Sequence, residues 1–210
     1  MQRIATYMAV KPGTEGRYRE EHANIWPEVL AGITRFGIHN YSIFMHGQEL
    51  YSYFEVEDLE KTVAMAAADP DNQRWQEHMA DFFAVGPGMQ DGSTVYPVEV
   101  FYAAGDEQLL PPLKHIGGLH RVKAGQEQVL ADTCEAASPQ VYEAIRQAGI
   151  RTDCIYVVGQ MLFTYYQAQD PVRAHNLLSA DPAYQAWHAR LAACVEHGIQ
   201  ISLDEVFYVP

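Results

Sequence analysis

The spacing of apolar residues switches between two periods along this chain. From Arg3 to Val10, the residues Ile4, Thr6, Met8 and Val10 alternate with Arg3, Ala5, Tyr7 and Ala9, and this period of two predicts a strand. Lys11-Pro12-Gly13-Thr14 predicts a turn, with Thr14 capping a helix that begins at Glu15. Between Glu15 and Trp26, Tyr18, His22 and Trp26 recur every fourth residue and share one helical face. Pro27 cannot extend that helix without losing a backbone hydrogen bond, so a kink is expected there, or a restart with Pro27 in a first turn. Val29, Leu30, Ile33 and Phe36 form the apolar stripe of the next segment, and Gly37 its stop. His39 to Met45 and Leu50 to Val56 are β-rich runs around His46-Gly47-Gln48-Glu49, a hairpin signal. Asp58 caps a helix reaching Ala68, and Asp69-Pro70-Asp71 ends it and opens another that carries Trp75, Met79, Phe82 and Phe83. Val85 to Thr94 reads as loop and Val98 to Ala103 as a closing strand. The order β-α-β-β-α-β predicts an α+β, ferredoxin-like domain, an antiparallel sheet with helices on one face.

The same order returns from His115 onward. A shift of 112 positions aligns Val10-Lys11 with Val122-Lys123, Pro27 with Pro139, Gly37-Ile38 with Gly149-Ile150 and Gly47-Gln48 with Gly159-Gln160. Twenty of the 66 positions from Val10 to Trp75 agree without a gap. Glu99-Val100-Phe101-Tyr102 recurs as Glu205-Val206-Phe207-Tyr208. The 210 residues therefore divide into two tandem domains, 1–105 and 113–210, joined by Asp106 to Pro112. A sheet covered on one side must hide its other face, and packing sheet on sheet between the halves would let the fused copy replace the second subunit of a homodimer. The copies differ where chemistry is richest. Tyr18, His22, Trp26 and Tyr41 stand opposite Leu130, Cys134, Ser138 and Asp153. One working site in the first half is expected, with the second half as scaffold.

Charge and cysteine content narrow the partners. The net charge of −13 and the lack of any basic run argue against nucleic acid and anionic membranes, whose phosphates demand clustered Lys and Arg. The three cysteines, Cys134, Cys154 and Cys194, lie in the second half without CxxC spacing, which favours reduced thiols in a cytoplasm. No apolar run of 18 residues is present, and the apolar stretch at the N-terminus is too short for a signal peptide, so a soluble intracellular protein is expected.

Among candidate reactive residues, Tyr18-x-x-x-His22 is the most informative. A histidine near its ordinary pKa exchanges protons at neutral pH, and a phenol one turn away can orient it or bind a substrate. Histidines on amphipathic helices also serve in surface and core networks. Asn40 and Tyr41 open the strand after Gly37, and Trp75 lies on a later helix, so aromatic faces and polar groups could form a sugar platform. Trp187 occupies the place of Trp75 in the other copy, which equally suits core packing. His39, His46, Glu77 and His78 show no metal-ligand spacing, so no metal is expected. No GxGxxG, P-loop or GxSxG elbow occurs. Cys134 stands where His22 does and reads as a buried thiol.

Tyr18-Arg19-Glu20-Glu21-His22-Ala23-Asn24-Ile25-Trp26-Pro27-Glu28, Gly37-Ile38-His39-Asn40-Tyr41, Gln73-Arg74-Trp75 and Glu99-Val100-Phe101-Tyr102 together resemble the L-rhamnose mutarotase family. The resemblance covers residues 1 to 103 closely and the second half through its scaffold positions. It implies a dimeric α/β-barrel, here an intramolecular pseudo-dimer, that interconverts the α and β anomers of a 6-deoxyhexose without a cofactor. It also implies His22 as proton donor and sugar contacts at Tyr18, Tyr41 and the pair 75 and 76. With Trp26 and Asn40 added from the residue reading, the candidate substrate contacts are Tyr18, Trp26, Asn40, Tyr41, Trp75 and Gln76. Gln76 stands where the family has a second tryptophan, which keeps L-fucose and other deoxyhexoses beside L-rhamnose as substrates. His22 would serve the ring oxygen and Tyr18 the anomeric hydroxyl. Further oligomerisation through outer surfaces stays open. The competing readings are a cofactor-independent monooxygenase or haem-degrading protein on a similar barrel, and a sugar-binding or regulatory module without catalysis.

Overall fold

The computed structural model describes residues 1–84, 94–105, 109, 111–197 and 201–210, which form two compact units. The first comprises Met1–Pro97 together with Asp204–Pro210, and the second Val98–Leu203. The sequence halves of 1–105 and 113–210 therefore differ from the compact units by an exchange of their last strands. Alternation of apolar residues predicts that a strand forms but does not specify which sheet receives it.

In the first unit, strand β1 (Gln2–Val10) leads to helices α1 (Glu15–Ala23) and α2 (Pro27–Arg35), strands β2 (His39–His46) and β3 (Glu49–Val56), helices α3 (Leu59–Ala68) and α4 (Pro70–Met79), and the short strand β4 (Phe83–Ala84). The unit is completed by the last strand of the chain, β10 (Asp204–Val209), and the sheet order is β10-β2-β3-β1-β4. All these pairings are antiparallel. The two-helix entry follows from Pro27, which sits at the first position of α2 where its missing N–H removes no helical bond. Two expectations change here. The helix of Glu15 ends at Ala23, so Trp26 is the extended residue preceding α2 and not part of one face with Tyr18 and His22. Thr14 caps nothing with its side chain, because its hydroxyl donates back to the Lys11 carbonyl at 2.7 Å. Asp58 and Asp69 do cap α3 and α4, accepting from Lys61 N and from Asp71 N and Asn72 N. Gly37, at φ +73°, closes α2 with bonds from its own N–H to Thr34 O and from Ile38 N–H to Ile33 O, a left-handed stop that favours glycine. Gly47, at φ +55°, opens the two-residue turn between His46 and Glu49.

The second unit repeats the pattern. Strand β5 (Val98–Ala104) and strand β6 (Lys114–Arg121) precede helices α5 (Glu127–Glu135) and α6 (Pro139–Gln147), strands β7 (Ile150–Val158) and β8 (Met161–Ala168), helices α7 (Pro171–Ala180) and α8 (Pro182–Cys194), and the short strand β9 (Ile201–Ser202). Its sheet order is β5-β7-β8-β6-β9. The closing strand expected at Val98–Ala103 thus forms, yet it pairs with β7 in this sheet, as β10 pairs with β2 in the other. Both closing strands carry an irregularity at the same point, between Glu99 and Phe101 and between Glu205 and Phe207.

Each unit is a ferredoxin-like α+β domain with its own core. Val10, Val29, Ile33, Ile43, Met45, Leu50 and Met79 gather in the first. Val122, Leu130, Val141, Ile145, Ile155, Leu162 and Leu191 gather in the second. The loop expected from Val85 to Thr94 lies, apart from Thr94, outside the described residues, as does most of the linker from Asp106 to Pro112. No helix among the described residues is long and apolar enough to cross a membrane. Cys134, Cys154 and Cys194 are buried free thiols.

Candidate functional site

The polar and aromatic residues singled out in the first half converge from four elements of the first unit. Helix α1 supplies Tyr18 and His22, both buried, whose rings stack at 4.1 Å with an interplanar angle of 28°. Helix α4 supplies Trp75, edge-on to His22 at 5.7 Å, and the α1–α2 corner supplies Trp26, edge-on to Trp75 at 5.3 Å. Strand β2 supplies Tyr41. Strand β10 supplies Phe207, which meets His22 and Tyr41 at 5.6 Å each. Phe54 of β3 packs against Tyr41 at 5.5 Å. Each such aromatic contact adds about 0.5–1.5 kcal/mol beyond area burial, so the cluster holds its members in fixed orientations.

Asn40 is the one non-glycine residue with a left-handed backbone, at φ +49°, among those described. Asparagine tolerates this conformation better than most residues, and such strain concentrates at functional positions. It falls where the β2–β3 register shifts between His39 and Ser42, so the backbone distortion and the change of register occur together just before Tyr41. The Asn40 carboxamide oxygen accepts from the Tyr208 hydroxyl at 3.5 Å, the long end of hydrogen bonding. Gln76 is exposed on α4, next to Trp75 but outside the ring cluster.

His22 is the electrostatic centre. Its Nδ1 lies 3.0 Å from the Tyr18 carbonyl oxygen. A carbonyl only accepts, so Nδ1 carries the proton and Nε2 carries the lone pair. Burial pushes the His22 pKa below 6.5, against partial support for the charged form from the Tyr18 carbonyl and the Glu21 carboxylate. At neutral pH the ring is therefore uncharged, with an accepting Nε2. Burial also raises Tyr18 well above 10, with Tyr41 nearby adding to the effect, and pushes Tyr41 up to about 12. Both phenols stay protonated and act as hydrogen-bond donors. Neither phenol, nor the indole N–H of Trp75, has a hydrogen-bond partner among the described residues. Four polar groups, three donors and one acceptor, are thus left for a ligand.

The second unit resolves the question raised by the shared tryptophan. Trp187 spends its indole N–H on the Thr133 carbonyl at 3.0 Å and is a packing residue on that side, whereas Trp75 makes no such bond. Cys134 is buried and its thiol pushed up to about 12, first by burial, so it is no nucleophile. Sequence reasoning missed Phe54, Phe207 and His78. Phe207 arrives from the other end of the chain, and its only signal was the recurrence of Glu-Val-Phe-Tyr. His78 packs against Trp26 at 5.3 Å and lies 2.8 Å from a Glu21 oxygen, tying α4 to α1 behind the cluster. Among the described residues no group of three or more His, Cys, Asp or Glu is placed to hold a metal ion.

Comparison with known proteins identifies the scaffold. The L-rhamnose mutarotase family model matches residues 3–103 and again residues 116–209. An L-rhamnose mutarotase of Opitutus terrae is 40% identical over 89 residues, spanning 41% of this chain and 85% of that protein. One from Oceanobacillus iheyensis is 38% identical over 109 residues, spanning 49% of this chain and 98% of that protein. A solved L-rhamnose mutarotase from Formosa agariphila is 28% identical, covering 46% of this chain and 90% of its own, with a TM-score of 0.37. At the level of fold alone, a putative monooxygenase of Fusobacterium nucleatum covers 98% of this chain and 93% of its own at 10% identity and a TM-score of 0.59. Two matches to one family model, one per repeat, account for the duplication seen in the sequence: the chain belongs to the L-rhamnose mutarotase family in a tandem-duplicated form.

Proposed function

We propose that the first unit is an aldose mutarotase acting on a 6-deoxyhexose such as L-rhamnose, with His22 as its proton carrier. The observation that carries this reading is the neutral His22, whose Nδ1–H is fixed on the Tyr18 carbonyl and whose Nε2 is left to meet a ligand inside an aromatic cluster. Relatives sharing 38–40% identity over 41–49% of this chain are L-rhamnose mutarotases, which supports the same reaction class here.

Anomer exchange needs one proton moved off the anomeric hydroxyl and one placed on the ring oxygen. Neutral His22 accepts the anomeric proton at Nε2. The resulting oxyanion collapses to an aldehyde as the bond from C1 to the ring oxygen breaks. The imidazolium then gives its proton to the departing ring oxygen, and the sugar is neutral and open. Rotation about C1–C2 followed by the reverse steps closes the ring as the other anomer. Both oxygens are bonded to C1, so one nitrogen can serve them in turn. Tyr18 and Tyr41 hold their protons and stabilise the transient oxyanions by hydrogen bonds. Trp75 and Trp26 provide apolar surface for the sugar face, with Asn40 at the edge. Positioned acid-base catalysis supplies ~10²- to 10⁴-fold, a useful gain for a reaction that already proceeds in water.

The same reading has the fused halves stand in for the family's two subunits as a pseudo-dimeric barrel, which small-angle scattering would test. The likeness to putative monooxygenases is one of fold and brings no site residue with it. Saturation-transfer proton NMR of L-rhamnose, L-fucose and other aldoses tests the activity directly. Accelerated exchange that disappears in His22→Asn is the expected result. Equal acceleration by parent and variant would remove His22 from the mechanism.

A further inference from the structure

The second unit was expected to be scaffold, yet it contains a cavity of about 450 Å³, lined from β6, β7, β8, α5, α7 and α8. That volume lies in the range of small-molecule sites. Among the polar side chains that line it are five on the sheet and the last helix: His120 of β6, Asp153 of β7, Tyr166 of β8, and Tyr184 and His188 of α8. None of the five has a hydrogen-bond or ion-pair partner among the described residues. His120, Asp153, Tyr166 and Tyr184 are partly buried and His188 is exposed at the rim, so all five can offer their hydrogen-bonding groups to a molecule that enters the cavity.

The place of the cavity in the repeat adds to this. At the shift of 112, Asp153 takes the position of Tyr41, Tyr166 that of Phe54, Trp187 that of Trp75 and His188 that of Gln76. Gly118 stands where the first copy has Thr6. In the first unit Thr6 and Ser52 fill the space with hydroxyls bonded at 2.5 Å. In the second, a Cβ on Gly118 would lie 2.7 Å from the Thr164 hydroxyl, which takes that space in its place. The second copy thus carries one side chain where the first carries two, with a carboxyl in place of the Tyr41 phenol and a tyrosine in place of Phe54.

The wall chemistry selects the ligand class. No Lys or Arg lines the cavity, so an anion would meet no fixed cation. Glu196, the other carboxylate of the lining, is paired with Arg121 at 3.6 Å. Burial pushes Asp153 up to about 7 and His120 and His188 below 6.5, so at mildly acidic pH the cavity offers no fixed charge of its own to a cation either. Hydrogen-bonding groups come from four elements beside Trp187 and Tyr184, whose rings meet edge-on at 5.6 Å, and His188 stacks on Tyr184. We propose that the second unit carries its own binding site for a neutral polyhydroxylated molecule of monosaccharide size, with Asp153, Tyr166, Tyr184 and His188 supplying hydrogen bonds and Trp187 an apolar face.

This inference stands apart from mutarotation in the first unit, and the three tryptophans separate the two. Trp26 and Trp75 report on the first unit, and Trp187 on the second. The full chain carrying 5-fluorotryptophan is titrated by ¹⁹F NMR with L-rhamnose, L-fucose, D-glucose and D-galactose, and with glucose 6-phosphate as the anionic comparison. The Trp187 line, assigned by its loss in Trp187→Phe, is expected to shift saturably with at least one neutral sugar and not with the phosphate. Asp153→Asn and His188→Gln, the latter importing the first copy's own residue at an exposed rim position, should each weaken that response about tenfold. They should leave anomer exchange and the Trp26 and Trp75 lines as in the parent. A Trp187 line unmoved by every neutral sugar at tens of millimolar, a response to the phosphate alone, or a response unchanged in both variants overturns the second site. If Trp187 responds while no sugar undergoes accelerated exchange, the second site stands and the mutarotase reading fails.

Discussion

The carboxyl of Asp153 makes the stability of this protein depend on pH in a direction opposite to that of most aspartates. An unfolded aspartate titrates near 3.8, and burial beside the cavity moves Asp153 up to about 7. Between those values the folded chain holds a proton that the unfolded chain has released. By linkage, folding is most favourable below about 3.8 as far as this group is concerned, and the advantage is lost as pH rises toward 7. At ~1.4 kcal/mol per pKa unit, the interval corresponds to a cost of up to about 4 kcal/mol, fully present above pH 7. Asp153→Asn removes the ionisation while preserving shape. Relative to the parent, the variant should show little change at pH 4 and a stability rising by up to about 4 kcal/mol at pH 8, equivalent to about one to two molar in urea midpoint. Urea unfolding of both proteins at several pH values, followed by tryptophan fluorescence, measures the difference. A midpoint difference that stays constant from pH 4 to 8 would refute the argument, because a contact or packing change has no reason to track this titration.

Four further outcomes are expected. His22→Asn should lower anomer exchange by ~10²- to 10⁴-fold and, by losing ring contacts to Tyr18, Trp75 and Phe207, cost about 1–3 kcal/mol in urea unfolding. The exchange rate of the parent should fall as pH drops through the His22 pKa, on a limb lying below 6.5, because protonation removes the accepting Nε2; a rate still rising below pH 5 would contradict a neutral histidine. Leu130→Ala, at a fully buried position of the second core, should cost about 2–5 kcal/mol of stability while the folded protein keeps its exchange rate, as NMR at a temperature well below the melting transition would show. Phe207→Ala should destabilise by about 3–5 kcal/mol and also slow exchange, because it loosens the walls of both His22 and Tyr41.

Much of each unit was legible because its signals are local. Pro27, Gly37, Asp58 and Asp69 act within a turn of their own position, and each sits where its chemistry requires. Thr14 misled because its hydroxyl can bond backward as easily as forward, and it bonds to Lys11 O. Trp26 seemed to extend a face with Tyr18 and His22 by fourfold spacing, but α1 stops at Ala23, and the aromatic ring reaches the cluster from a corner instead. The pairing of Tyr18 with His22 could be read from one helical turn, whereas the direction of the His22 proton depends on a carbonyl distance that no spacing contains. The exchange of β5 and β10 was invisible because a strand's alternation carries no address. The cavity was hidden for a different reason: it depends on how the side chains of β6, β7, β8 and α8 pack around Asp153, a property of packing rather than of sequence pattern.

The return of Asp204–Pro210 to the first sheet has an evolutionary consequence. After a gene duplicates in tandem, a redundant copy can normally drift as a block, but here the final strand of the later copy lies against Ile43 and touches His22 of the earlier one. A change at Phe207, near the end of the second repeat, therefore reaches the candidate site of the first unit. Glu205-Val206-Phe207-Tyr208 is identical to Glu99-Val100-Phe101-Tyr102, whereas Tyr18, His22 and Tyr41 stand opposite Leu130, Cys134 and Asp153. Deleting either repeat would take an edge strand from the sheet of the other, β10 from the first or β5 from the second, so each repeat carries a piece of its neighbour's architecture.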